Sequence, residues 1–317
     1  ATTIARRWRS DEARALFAGC AAHALYPLSR PTTAAIGTML IASAHAVGWP
    51  VAEGGSGAIT AALAARLRSL GGTIETGVRV TSLSQLPSSR VVLLDLSPRD
   101  VVRVAGDRIP ARVSRALGRY RYGPAAFKLD LAVEGGIPWA ADACRRAITV
   151  HVGGTLEEIA ASEAELHRGR MPARPFLLVG QQYLADPARS RGNVHPIWAY
   201  AHVPSGYAGD ASEAMLAQIE RFAPGFRERI VAKRAATPAD IEAYNPNYVG
   251  GDIATGANTP VQVLFRRPRF ALDPYGTGSG NVFICSAATP PGAGVHGMCG
   301  ANAARSALRA LRSRGRR

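Results

Sequence analysis

The run Ser286-Ala287-Ala288-Thr289-Pro290-Pro291-Gly292-Ala293-Gly294-Val295-His296-Gly297-Met298-Cys299-Gly300 holds the residues whose types and spacing bear most directly on chemistry. It follows an apolar stretch, Asn281 to Ser286, and precedes a stretch with an apolar stripe at Ala301, Ala304, Leu308 and Leu311, so it reads as the turn between a buried strand and a helix. Gly292, Gly294 and Gly297 spell GxGxxG. As a dinucleotide fingerprint the match fails, because that motif opens a βαβ unit and wants an acidic residue about 20 positions on, and the sequence ends before one is reached. What the glycines do supply is close backbone approach to a flat ligand, next to free N–H groups at a helix start that favour an electron-rich oxygen. A flavin, which gains negative charge on its N1/C2 carbonyl side when reduced, is a ligand of that kind. His296 then reads as a flavin contact or proton shuttle, or alternatively as a turn histidine bonded to backbone. Cys299 in the first helical turn reads as a small packing residue, with a lowered-pKa reactive thiol as the alternative.

A second set of residues could line a substrate pocket. Lys128 and Asp130 alternate on one face of a strand-like run, where they could orient substrate or hold a proton; a solvent-side pair is the alternative. Tyr200 and His202 share a strand face, and with Trp139 they could wall a cavity for a hydrophobic substrate, or be ordinary core. Asp252, after Gly250-Gly251, reads as a turn terminator. No side chain is singled out as a catalytic acid or base, and no metal site is expected.

The elements that must position these residues follow from periodicity. Helical patterns run from Ser10 to Leu25 and through Thr38 to Ala46, separated by Pro27 and Pro31. Gly54-Gly55-Ser56-Gly57 opens a helix with apolar residues at Ile59, Leu63, Leu67 and Leu70, closed by Gly71-Gly72 before an alternating strand, Thr73 to Leu83. Val91 to Leu96 reads as a buried parallel-type strand, and Ser97-Pro98 starts a helix. Strands are expected over Ala125 to Val133, Phe176 to Leu184 and Pro196 to His202, with helices over Leu156 to His167 and Ala211 to Phe222. The implied class is α/β plus α+β: a helical segment over 1–53, an α/β domain from 54–120 and 276–317, and a β-rich domain over 121–275.

At 317 residues and 47% hydrophobic content the chain can bury a large core. Its longest apolar run, Thr33 to Trp49, is interrupted by Gly37, His45 and Gly48 and falls short of the ~20 apolar residues of a spanning helix. The first residues carry no secretory signal pattern. The four cysteines, Cys20, Cys144, Cys285 and Cys299, form no CxxC pair, which points to a reducing cytoplasm rather than a disulfide framework. The net charge of +15 is spread along the chain, with only two lysines, Lys128 and Lys233, among its 38 basic residues, so nucleic-acid binding is not expected. The one basic cluster, Arg305 to Arg317, reads as a solvated helix end, with peripheral contact to an anionic membrane as the alternative.

These blocks resemble the phytoene dehydrogenase-like FAD-dependent oxidoreductases. The resemblance rests on the 286–300 run, on Gly54-Gly55-Ser56-Gly57 with Gly71-Gly72 and Val78-Arg79-Val80, and on a series in order: Tyr122-Gly123-Pro124, Phe127-Lys128-Leu129-Asp130, Ile137-Pro138-Trp139, His151-Val152-Gly153-Gly154, Trp198 to Pro204, and Asn245 to Asp252. It implies FAD as cofactor and a hydrophobic small-molecule substrate. It places a backbone group near Val80 by the adenine, and Ser286, Gly292, Gly294, Val295, His296, Gly297 and Met298 by the flavin. It implies an FAD/NAD(P)-binding Rossmann-like domain, here incomplete, beside a β-rich substrate domain. Members of the family begin with a strand, a true GxGxxG and an acidic ribose ligand, and nothing before Gly54 reads that way. The expectation is therefore that this polypeptide holds FAD weakly, or serves as a non-catalytic partner that binds only ligand or protein.

Overall fold

The computed structural model describes residues 1–314, and the side chains of residues 1–313. The end of the basic cluster, Gly315 to Arg317, lies outside the described residues. In chain order the elements are α1 (Thr2–Ala5), α2 (Asp11–Ala22), α3 (Thr33–Val47), α4 (Gly57–Ser69), β1 (Val92–Leu94), α5 (Pro98–Ala105), α6 (Ala111–Leu117), β2 (Ala125–Glu134) and α7 (Asp142–Arg145). There follow β3 (Thr149–Val152), α8 (Leu156–His167), β4 (Leu177–Gly180), β5 (Val194–Val203), α9 (Ser212–Glu220), β6 (Ile230–Ala236), α10 (Pro238–Tyr244), α11 (Pro260–Phe265), β7 (Val282–Ile284) and α12 (Met298–Arg314).

The chain divides into two compact units, residues 1–78 with 126–237, and residues 79–125 with 238–317. The first is built on a five-stranded sheet of order β3-β4-β5-β2-β6. In β2 the alternation of Phe127, Leu129, Leu131 and Val133 with Lys128, Asp130 and Glu134 turns the apolar set inward, as a half-buried strand requires. Helix α8 starts with a reciprocal cap, Thr155 accepting from the Glu158 N–H while Glu158 accepts from the Thr155 N–H. Its buried side is Leu156, Ile159, Ser162, Glu163 and Leu166, of which Leu156 and Ile159 join Phe17, Ala18, Ala21 and Ala22 of α2, together with Phe176, in one core. Helix α3 approaches α2 at Gly37, where an added Cβ would stand 3.1 Å from the Ala21 backbone, so a small residue is required there.

The second unit contains the parallel pair β1/β7, in register Val92↔Val282, Leu93↔Phe283 and Leu94↔Ile284. Its core joins Leu94, Val282 and Ile284 to Val101, Val104 and Ala105 of α5 and Val113 and Leu117 of α6. Helix α5 forms where expected because Ser97 caps it, accepting from the Asp100 N–H, and Pro98 occupies its first turn.

Several elements depart from the sequence expectation. Thr73 to Leu83 forms no strand: the chain bends at Gly77, whose φ is 78°, and Leu83 opens a 3-10 turn, so the alternation produces no ladder among the described residues. The run from Phe176 to Leu184 yields only β4, because Gly180 ends the ladder and Gln182–Leu184 turn into a 3-10 helix. The compact units also part the chain at other points than the expected domains. Helix α4 lies in the unit of the five-stranded sheet, where the Gly54 N–H donates to the Asp186 carboxylate at 3.0 Å. Residues 238–275 lie with β1 and β7, where Asn247 accepts from the Ser97 N–H at 2.7 Å and donates to the Asp95 carbonyl at 3.0 Å. Among the described residues no helix is long and apolar enough to cross a membrane.

Candidate functional site

In the second unit, β7 runs into the glycine turn. Ser286, buried, donates its hydroxyl to the Leu96 carbonyl at 2.7 Å, and buried Thr289 donates to the Ser286 carbonyl at 2.7 Å, so the first half of the turn is tied to the sheet. Tyr275 donates to the Pro290 carbonyl at 2.9 Å. The guanidinium of Arg267, a residue only 5% exposed, donates twice to the Ala287 carbonyl and once to that of Ala254, and it lies against Gly292, whose Cβ would stand 3.1 Å away. The Cys299 thiol is turned inward, donating to the carbonyls of Thr289 and Gly292 at 3.4 Å each, which fits the packing role.

Gly292, Gly294 and Gly297 all hold positive φ, of 112°, 152° and 62°. Gly297 has nothing within 4 Å of where a Cβ would stand, and α12 begins at the next residue. The turn is therefore open at the helix start, where first-turn N–H groups lack intrahelical acceptors and the helix dipole is positive. Those features fit a flat, electron-rich ring. At Gly294 they do not combine in the same way, because the exposed His296 ring already lies 2.7 Å from the Cβ position. His296 accepts the Met298 N–H on Nδ1 at 3.0 Å, making it a turn histidine bonded to backbone. Val295 is 89% exposed and Met298 40%, so both stand on the open side. Val80 is packed against the core of β1 and β7.

In the first unit, the registers His151↔Leu178 and Leu178↔Tyr200 place residues of three strands in one row on one sheet face. Trp198 and Tyr200 stack at 6.0 Å with rings 2° from parallel, and the Phe176 ring lies between His151 at 5.5 Å and His202 at 5.3 Å. His202 and Glu163 are fully buried and share a hydrogen bond, Nδ1 to Oε1, of 2.8 Å, while His202 Nε2 and Glu163 Oε2 have no partner. Burial, and next the charge of Glu163, push the Tyr200 hydroxyl well above its ordinary value, so it stays protonated. His23, beyond the end of α2, meets His151 with Nε2 to Nε2 at 2.9 Å.

The five expected pocket residues do not form one pocket. Trp139 donates to Gln181 at 3.0 Å and lines a cavity of about 280 Å³ with Cys144, Val150, Val152, Arg221 and Phe222. Tyr200 and His202 belong to the buried face just described and do not line that cavity. Lys128 and Asp130 form an ion pair at 2.7 Å with side chains 41% and 49% exposed, because their strand positions alternate outward. Lys128→Ala is accordingly expected to change stability by less than about 0.5 kcal/mol in urea melts. Asp252 is buried and accepts N–H groups from Gly123, Ala254 and Gly256, so it does organise a turn. Sequence reasoning missed Glu163, whose place on the apolar stripe of α8 was the available signal, and it missed His23, for which no local signal exists.

Burial, then repulsion from His151 and from His202, lowers His23 to about 3 from an ordinary 6.5, and burial followed by repulsion from His202 lowers His151 to about 4. Both rings are then neutral in the folded chain while the unfolded chain takes up protons below about pH 6.5. Stability should fall as pH drops from about 6.5 toward 4 and level off once the folded rings protonate, with a slope of at most about 1.4 kcal/mol per pH unit for each ring. Urea midpoints measured between neutral pH and pH 4 should show a flatter dependence in His23→Gln. An unchanged slope there would remove the histidines from the account.

No family model matches the chain. It is similar to pyridine nucleotide-disulfide oxidoreductase domain-containing protein 2 of Rattus norvegicus, at 24% identity over 306 residues, covering 84% of this chain and 52% of that protein. The homology is weak. The Mus musculus protein of the same name is 32% identical over 95 residues, covering 30% of this chain and 16% of that protein. This chain thus spans about half the length of the rat relative, at 52%. Among solved structures, an oxidoreductase from Methanosarcina mazei matches with a TM-score of 0.59 at 13% identity, over 97% of this chain and 67% of that one. At that identity the likeness is one of fold.

Proposed function

We propose that this chain works in an FAD-dependent oxidoreductase of the phytoene dehydrogenase-like kind, acting on a hydrophobic substrate by hydride transfer to flavin. The observation that carries the reading is the unit β7–glycine turn–α12, open at Gly297, in a chain whose fold matches an oxidoreductase and whose curated relatives carry oxidoreductase in their name. FAD, when bound, supplies the electron sink for the hydride equivalents. The chain's part is to hold the ring. Gly297 keeps the helix start free of a side chain, the first-turn N–H groups of α12 beyond that of Met298, which His296 holds, present donors, and the inward Cys299 thiol and the Arg267 guanidinium fix the turn from beneath. Within the first unit, the cavity beside Trp139, lined by apolar residues together with Cys144, His151 and Arg221, has room for an apolar group.

Titrating the purified chain with FAD while following flavin fluorescence tests the reading. Saturable one-to-one quenching is expected, and an entirely linear response would count against it. A second reading, a partner subunit without turnover, has one observation in its favour. Helix α4 buries none of its residues and leaves Ile59, Leu63, Leu67 and Leu70 at 42%, 68%, 45% and 67% exposure, an apolar stripe suited to another polypeptide. Flavin binding without bleaching by any hydride donor would favour that second reading.

A further inference from the structure

A separate cavity of about 210 Å³ lies within the second unit, lined by Arg119, Tyr120, Gln262, Arg266, Arg269 and Phe270, among others. Three arginines thus line it from two stretches of chain, the residues just after α6 and those just after α11. Among the described residues no carboxylate forms an ion pair with any of the three. The other polar walls are already engaged: Gln262 bonds the Arg121 and Ala257 backbone, and the Tyr120 hydroxyl donates to the Thr255 carbonyl at 2.7 Å.

Arg269 is the informative member. Its Nη2 donates to the Gly276 carbonyl at 2.6 Å, while its Nε is buried with no partner. Burial works against its charged form, Asp273 favours that form, and the nearby Arg112 opposes it. Asp273 does not close the pair, since its carboxylate takes the Ser306 hydroxyl and the Tyr275 N–H. A partly buried guanidinium with an empty Nε donor, beside two more arginines and with Asp273 near but not ion-paired to it, is an incomplete electrostatic arrangement. A doubly charged phosphoryl oxygen cluster completes it better than a single carboxylate, because planar guanidinium forks match phosphate geometry in pairs.

We infer that this cavity binds a phosphoryl group, held by Arg119, Arg266 and Arg269. The inference does not rest on the flavin reading. Isothermal titration of the whole chain with inorganic phosphate and pyrophosphate tests it. One-to-one binding is expected, weakened about tenfold or more in Arg266→Gln and in Arg269→Gln and unchanged in Arg66→Gln, whose side chain lies on the exposed face of α4. If Arg269→Gln fails to fold, Arg119→Gln and Arg266→Gln, both at exposed residues, carry the test. Absence of saturable binding at millimolar anion would overturn the inference, as would an equal loss in Arg66→Gln, which would mean diffuse attraction to a basic chain. Sedimentation with phosphatidic acid vesicles, against phosphatidylcholine alone, distinguishes the source of the phosphoryl group. Retention lost in Arg266→Gln assigns a lipid headgroup, and no retention beside intact phosphate binding assigns a soluble phosphate. Repeating the FAD titration in Arg266→Gln closes the argument: unchanged affinity keeps this site apart from flavin, and a matching loss would overturn it as a separate site.

Discussion

Gly297→Val is expected to remove saturable FAD binding from a chain that still folds. The residue has φ of 62°, where a β-branched side chain is strained by about 1–2 kcal/mol or more, yet a Cβ there meets no atom within 4 Å. The side chain would therefore occupy the space proposed for the ring and not the space of the chain itself. Gly294→Val should act in the same direction, through its φ of 152° and through the His296 ring it would displace. Cys299→Ala should keep FAD binding within a fewfold of wild type, since the sulfur only donates weakly to two carbonyls. Fluorescence titrations of the three variants, with circular dichroism to confirm folding, separate the cases. Undiminished binding in Gly297→Val would place any flavin elsewhere. Loss in Cys299→Ala alone would give the thiol a chemical role.

Glu163→Ala is expected to lower stability by about 1–3 kcal/mol, because it leaves the fully buried His202 without the hydrogen-bond partner it holds at 2.8 Å. Removing both members should be far milder: Glu163→Leu combined with His202→Phe replaces two polar groups by apolar ones of similar volume. Urea denaturation of the single and double variants gives the coupling. A single-variant loss below about 1 kcal/mol would mean that water or rearrangement satisfies His202, and that the pair is not the keystone of this core.

Much of the framework was legible in the chain itself. The alternation of β2, the cap and stripe of α8, the Ser97-Pro98 start of α5 and the strand–turn–helix at the C-terminal end are all local, and local sterics, capping and the 2.0 and 3.6 periods determine them. The glycine turn was legible for the same reason, since positive φ is a property of single residues.

What local pattern leaves open is which segments meet. The residues from Thr73 to Leu83 have a strand's alternation, but a ladder needs a partner, and none among the described residues pairs with them. Trp139, Tyr200 and His202 all look like pocket residues in the sequence. In the tertiary structure Trp139 lines a cavity that includes His151, while Tyr200 and His202 lie on the buried face and do not line it. The His23–His151 bond joins residues 128 apart, and the Glu163–His202 bond residues 39 apart, so neither is fixed by any local propensity. Arg119 joins Arg266 and Arg269 around one cavity in the same way, by tertiary convergence. Composition established that the chain is rich in arginine, whereas packing decided which of those residues stand together around one cavity without a carboxylate ion-paired to them.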